Sequence, residues 1–234
     1  MKKFYTTAEA GTSPGGWVVR LNGKPLKTPL MKPLVFTSEG LAKAVAREWH
    51  DQKDEIVPGT MPLTQLANTL VDKASGDDRD EMDAQLQDYA RSDLVCYFAT
   101  HPQDLVARQE TQWRPILEWL GDKKGIRLKT VSGIQYHQQD EQVMQVFDSL
   151  IAGLNALDFT FVQAVTATVG SVVIAVAFLN GFLDAEGAYQ AACVDEIYQL
   201  EKWGEDEPAR KRLDRIKEEL AAVAGFYRLS KASS

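Results

Sequence analysis

FTFVQAVTATVGSVVIAVAFLNGFL, residues 159–183, decides the fold, because twenty-five residues pass there without a charge. Length alone would let such a run cross a bilayer. Its surroundings argue otherwise. Asp158 and Asp184 flank it, and no Lys or Arg lies between Lys129 and Lys202, so the basic anchors of a spanning helix are missing. No Trp or Tyr marks either end, and Gln163, Thr166, Thr168, Ser171 and Asn180 interrupt the apolar surface. With Gly170 at its middle, the run reads as two apolar helices, or one kinked helix, at the centre of a helical domain.

Outward from that run the pattern stays helical. Toward the C-terminus, helices are predicted over 185–202 and 206–229. Toward the N-terminus they are predicted over 141–157, 103–120 (bent near Pro115 and stopped by Gly125), 77–100 and 64–74. Residues 126–132 alternate like an extended segment. Before Pro58 and Pro62 the character changes. Asn22-Gly23 joins two extended runs, the dipeptide that a tight hairpin turn requires. Pro25 puts the second arm at a sheet edge, and Leu34-Val35-Phe36 supplies another short strand. The Gly-rich stretch 11–16 reads as a loop. Ser38 opens a helix through Gln52 that sets Leu41, Val45 and Trp49 on one face, with Trp49 as structural support. The expected fold is α+β: a small sheet-plus-helix domain over 1–60, then an all-helical domain over 61–234.

Composition narrows function. The 234 residues carry 26 bases and 33 acids, a net charge of −7. Residues 1–36 hold six bases and one acid, whereas residues 130–201 hold nine acids and no base. A surface that tracks nucleic-acid phosphates needs clustered bases, so the larger part is not expected to bind nucleic acid. Cys96 and Cys193 are far apart and form no C-x-x-C pair, so no disulfide framework is expected. His50, His101 and His137 are isolated, and no metal, P-loop, dinucleotide or nucleophile-elbow motif is present. No cofactor and no metal are expected. MKKFYTTAEAGTSPGG lacks the apolar core of a secretory signal, so a bacterial, cytoplasmic address is expected.

The remaining informative stretch is DEIYQLEKWGEDE, residues 195–207. On a helix Asp195, Gln199 and Lys202 share a face. Gly204 suits the left-handed position that ends a helix. One reading is an acidic helical corner with Trp203 pinned in the core. The other is a rigid acidic lip for a basic partner surface, with Glu196, Gln199, Glu201, Glu205 and Asp206 making contact and Trp203 and Gly204 holding the geometry.

The pattern D-E-x-x-Q-x-E-x-W-G-x-D-E resembles the assembly chaperones that act on the α subunit of F(1)-ATPase. L-N-G-K-P-L-K-T-P (21–29), A-x-E-W (46–49) and T-M-P-L-T-Q-L-A-N-T (60–69) resemble the same family. So do S-D-L-V-C-Y (92–97), R-Q (108–109), W-x-P (113–115) and G-S-V-V-I-A-V-A (170–177). The resemblance implies a two-domain, non-enzymatic chaperone of ATP synthase. It would bind newly made α subunit and shield its subunit interface until β joins. A monomer that does not insert into membranes is expected. The competing reading is a metal-dependent enzyme using Asp195, Glu196 and Glu201. It lacks the E-x-x-H pairs that helical di-metal sites use.

Overall fold

The computed structural model describes residues 1–74, 79–204 and 206–232. Contacts divide the chain into two compact units, Met1–Arg79 with Ala222–Ser234, and Asp80–Ala221.

In the first unit β1 (Ala8–Ser13), β2 (Gly16–Leu21) and β3 (Lys24–Pro25) form an antiparallel sheet in that order. Asn22 (φ 49°) and Gly23 (φ 79°) are both left-handed, as a type I′ turn demands. The Asn22 carboxamide also accepts the Thr6 and Thr7 amides at 2.9 and 3.1 Å, tying the entering chain to the turn. The edge position expected for Pro25 is observed.

The loop expected over 11–16 is instead mostly strand. β1 runs through Gly11 to Ser13, and only Pro14 and Gly15 turn. Arg20 explains the small residues there. Its guanidinium lies over Gly11 so closely that an added Cβ would sit 1.9 Å from it, and it donates to the Thr12 carbonyl at 2.7 Å. Leu34–Phe36 makes one isolated bridge, Phe36 with Trp17, rather than a strand.

Helix α1 (Glu39–His50) starts where Ser38 accepts the Leu41 amide at 3.1 Å. It packs Leu41, Ala42, Val45 and Ala46 toward the sheet. Helix α2 (Pro62–Asp72) takes its cap from α1. The Glu48 carboxylate accepts the Leu63 and Thr64 amides at 2.7 and 2.8 Å, where the helix dipole favours an anion. At the other end of α2, buried Asp72 accepts from the Thr28 hydroxyl at 2.6 Å and the Leu30 amide at 3.1 Å. The A-x-E-W stretch thus joins T-M-P-L-T-Q, and Thr28 of the first stretch joins the end of α2.

The second unit is helical: α3 (Arg79–Arg91), α4 (Gln103–Lys124), α5 (Glu141–Ala152), α6 (Ala156–Val169), α7 (Val172–Leu179), α8 (Ala185–Ala192) and α9 (Val194–Trp203). Helix α10 (Glu207–Lys231) gives its length up to Ala221 to this unit and its last turns to the first. The α+β class expected from sequence is the class observed.

The apolar run becomes α6 and α7, parted by left-handed Gly170 (φ 73°). Val172 through Ala177 have no exposure at all, with α4, α6 and α8 packed around them. Among the described residues no helix is long and apolar enough to cross a membrane. Pro115 lies inside α4 without ending it, and left-handed Gly125 (φ 71°) closes it.

Three expected helices are shorter than read. The one over 141–157 stops at Ala152, before Gly153. The one over 77–100 stops at Arg91, its Asp77 and Asp78 lying outside the described residues. Leu94–Cys96 is then a single tight turn. β4 (Tyr97–Phe98) pairs in parallel with β5 (Val131–Ser132). The helix over 185–202 breaks at Cys193. There the Ala191 carbonyl accepts the Trp113 indole N–H (2.7 Å), where a continuous helix would have offered it to the Asp195 amide.

Asp93 organises this centre. Fully buried, it accepts from the Ser171 hydroxyl at 2.6 Å, the Val173 amide at 3.1 Å and the Val95 amide at 3.2 Å. It therefore caps both the 94–96 turn and α7, which brings S-D-L-V-C-Y against G-S-V-V-I-A-V-A. Burial outweighs these hydrogen bonds and pushes the carboxyl up to about 6. Both cysteines are free and buried; burial pushes the Cys193 thiol up to about 12 and the Cys96 thiol upward as well. Neither has thiolate character to react.

Candidate functional site

The corner predicted at 195–207 is built by α9, the start of α10 and the first half of α4. Its inner layer is polar and buried. Gln109, 1% exposed, accepts the Ala99 amide on its oxygen and donates from its nitrogen to Asp195, both at 2.7 Å. Burial raises the Asp195 carboxyl, and the Gln109 hydrogen bond offsets part of that rise. The R-Q and W-x-P stretches of α4 thus hold the two ends of the α8–α9 break.

The outer layer is a set of crossed ion pairs. Arg108 donates to Glu201 at 2.5 Å, Lys202 lies 2.7 Å from Asp104, and Arg212 of α10 lies 2.6 Å from Glu196. The Tyr198 hydroxyl donates to Asp104 at 2.8 Å. Hydrogen bonds from Lys202 and then Tyr198 hold the Asp104 carboxyl down at about 2. The Arg108 hydrogen bond likewise lowers Glu201 and, reciprocally, Glu201 raises Arg108. The Tyr198 ring is flanked by the Arg108 and Lys202 cations at 5.3 and 5.5 Å from its centroid. These pairs are half-exposed, so each contributes little to stability. Their effect is to orient.

Three expectations for this corner need correction. Trp203 is not pinned in the core: it is 76% exposed and touches Tyr198 only edge-on, with ring centroids 6.4 Å apart. Gly204 is not in the left-handed helical region. It sits at φ 93°, ψ 172°, a conformation that essentially only glycine holds, and its amide donates back to Leu200. Nor do Glu196 and Glu201 project an unopposed negative field. The absence of bases over 130–201 is a fact about sequence; in space, Arg108 and Arg212 arrive from α4 and α10.

Of the other contact candidates, Gln199 is exposed, and Asp206 caps α10 by accepting the Ala209 amide at 3.0 Å. Glu205 lies outside the described residues. Clefts flank α9 on both sides. One of about 320 Å³ is lined by Arg108, Gln112, Gln190 and Ile197, and one of about 410 Å³ by Asp195, Glu196, Gln199, Arg212 and Thr168. Asp195, Glu196 and Glu201 each engage a different partner. Among the described residues no three His, Cys, Asp or Glu side chains gather as metal ligands.

In the first unit Trp49 is half-buried, its ring 5.6 Å from that of Tyr5, whose hydroxyl donates to the Trp49 carbonyl at 2.6 Å. Its indole N–H is buried without a partner. Sequence reasoning gave no role to Asp93, Glu48, Asp72 or Gln109. Three of the four lie within stretches already singled out, but each of these has a partner 15 to 86 residues away.

Similarity to known proteins agrees with this architecture. The profile of the ATP12 chaperone protein family matches residues 2–121, slightly more than half of the chain. The mitochondrial protein atp12 of Schizosaccharomyces pombe is 22% identical over 95% of this chain and 81% of its own. The mitochondrial protein ATP12 of Saccharomyces cerevisiae is 23% identical over 91% and 79%. Among solved structures, Atp12 from Paracoccus denitrificans superposes with a TM-score of 0.85 at 30% identity, covering 98% of both chains. A putative chaperone from Agrobacterium tumefaciens gives 0.86 at 32% identity, covering 98% of this chain and 86% of the other. The resemblance to the ATP synthase assembly chaperones read from the sequence is borne out, and the chain belongs to the ATP12 chaperone protein family.

Proposed function

We propose that this chain is an assembly chaperone for the F(1) sector of ATP synthase that binds the free α subunit and shields its subunit interface until β joins. Membership of a chaperone family is the observation that carries the reading. The physics is coherent, because an unassembled subunit of an obligate oligomer exposes an apolar interface that would otherwise aggregate. A shield must also let go, so the contact should be moderate in size and displaceable. The chain acts by binding alone, as a monomer in the cytoplasm, with no cofactor and no chemical step. Client contact is assigned to the α4–α9–α10 corner, through Glu196, Gln199, Glu201, Glu205 and Asp206. The half-exposed acids among them can exchange Arg108 or Arg212 for a basic group of the client without leaving a buried charge unpaired.

The test is affinity capture from a native lysate of the source organism, followed by mass spectrometry of what is retained. Free α subunit, without stoichiometric β, is the expected catch. Assembled F(1), or β alone, would contradict the proposal.

A further inference from the structure

Trp203 is the side chain of the corner that its surroundings leave without a structural task. Tryptophan is highly buried on average in folded chains, and Trp113 of this chain is 1% exposed, whereas Trp203 is 76% exposed. It is the one exposed large apolar side chain among the described residues from Ala185 to Ala232.

Its setting is firm. It is the last residue of α9, which Gly204 ends in a glycine-only conformation. Its contact ring, Tyr198, is 3% exposed and fixed by Asp104. The cations that flank the Tyr198 ring are paired, Arg108 with Glu201 and Lys202 with Asp104. An exposed tryptophan on a rigid base is of the residue type most enriched at interface hot spots.

We propose that Trp203 is the anchor by which the chain holds its client: the indole enters an apolar recess on the unassembled subunit, beside the acids of the same corner. This rests on the reading that the client is free α subunit. The indole selects the occupant: it rewards transfer into an apolar recess, and an unassembled subunit leaves such apolar surface exposed.

The experiment titrates purified α subunit with full-length wild type, Trp203→Ala and Trp203→Phe, with thermal melts of each variant. Expected are an unchanged melting midpoint, capture weakened at least about tenfold by Trp203→Ala, and a smaller loss with Trp203→Phe. The fluorescence difference between the wild-type and Trp203→Phe complexes should lie at shorter wavelength than the same difference for the free proteins. Wild-type affinity in Trp203→Ala would overturn the inference while leaving the client intact. A clearly lowered midpoint would return Trp203 to a structural role. Wild-type self-association abolished by Trp203→Ala would assign the indole to a second copy instead. Failure of the wild type itself to bind α would overturn the functional reading, and this assignment of the client with it.

Discussion

Helices α7 and α9 are both short, and both are held by polar groups delivered from distant parts of the chain, but they end opposite ways. At α7 the delivery is complete: Asp93 and Ser171 satisfy its first amides, and Val172 through Ala177 vanish from the surface. At α9 Gln109 ties the inner face through Asp195 and Arg108 pairs with Glu201 in the outer layer, yet Trp203 is left outside. Both helices carry stretches whose sequence resembles the family. The difference teaches that such a stretch mixes two kinds of residue. Those that vanish into partners specify the fold. Those that remain exposed after every structural need is met are the ones available to a client.

The comparison breaks most visibly at Asp93. Asp93→Ala would leave the Ser171 hydroxyl and the Val95 and Val173 amides without their acceptor inside the core. A loss of about 3–5 kcal/mol in unfolding free energy is expected by chemical denaturation, consistent with an uncompensated buried network. A loss below about 1 kcal/mol would show that water or rearrangement satisfies those groups, and that α7 is less closed than its contacts indicate.

Acid titration sharpens the same point. The Asp93 carboxyl sits at about 6 in the fold, above its ordinary value of 3.8, so the folded chain binds this proton more tightly than the unfolded one. The ionised form therefore costs stability at neutral pH. That cost is relieved as pH falls through about 6 and is fully gone below about 4, where both states are protonated. Wild type should gain stability relative to Asp93→Asn as pH falls from 7 to 5, by about 1 kcal/mol. A difference that stays flat, or shrinks, would mean the hydrogen bonds to Asp93 outweigh its burial.

The smallest effect on stability belongs to α9. Glu201→Lys breaks the pair with Arg108, but both groups are about half-exposed, so unfolding free energy should change by less than about 1 kcal/mol. Capture of α subunit should fall by the equivalent of roughly 1–3 kcal/mol if the carboxylate is paired at the interface. Stability lost without any change in capture would make the corner a structural element, like α7.

What the sequence disclosed follows the same division. The lack of flanking bases and the polar residues within the run were enough to read 159–183 as a helical core. Asn22-Gly23 carries its turn chemistry in two adjacent residues. β1 was invisible because Ala8, Ala10 and Gly11 have little strand preference; Arg20 on the next strand makes that strand work. The break at Cys193 depends on Trp113, and the neutralisation of Glu201 on Arg108, each at a separation no local pattern encodes. Trp203 was misread for a related reason: a tryptophan at a helix end normally packs inward, and only the surrounding helices show that no cavity receives it.

The client is expected to cover the α9 corner and to leave the α7 core as it was. Amide hydrogen exchange of the full chain, with and without purified α subunit, tests it most directly. Residues 196–206 and the facing first turns of α4 should slow on addition of α subunit, while 172–177, already protected in the free protein, should not change. Slowing confined to the first unit, with 196–206 exchanging as in the free chain, would contradict the claim and move the client to another surface.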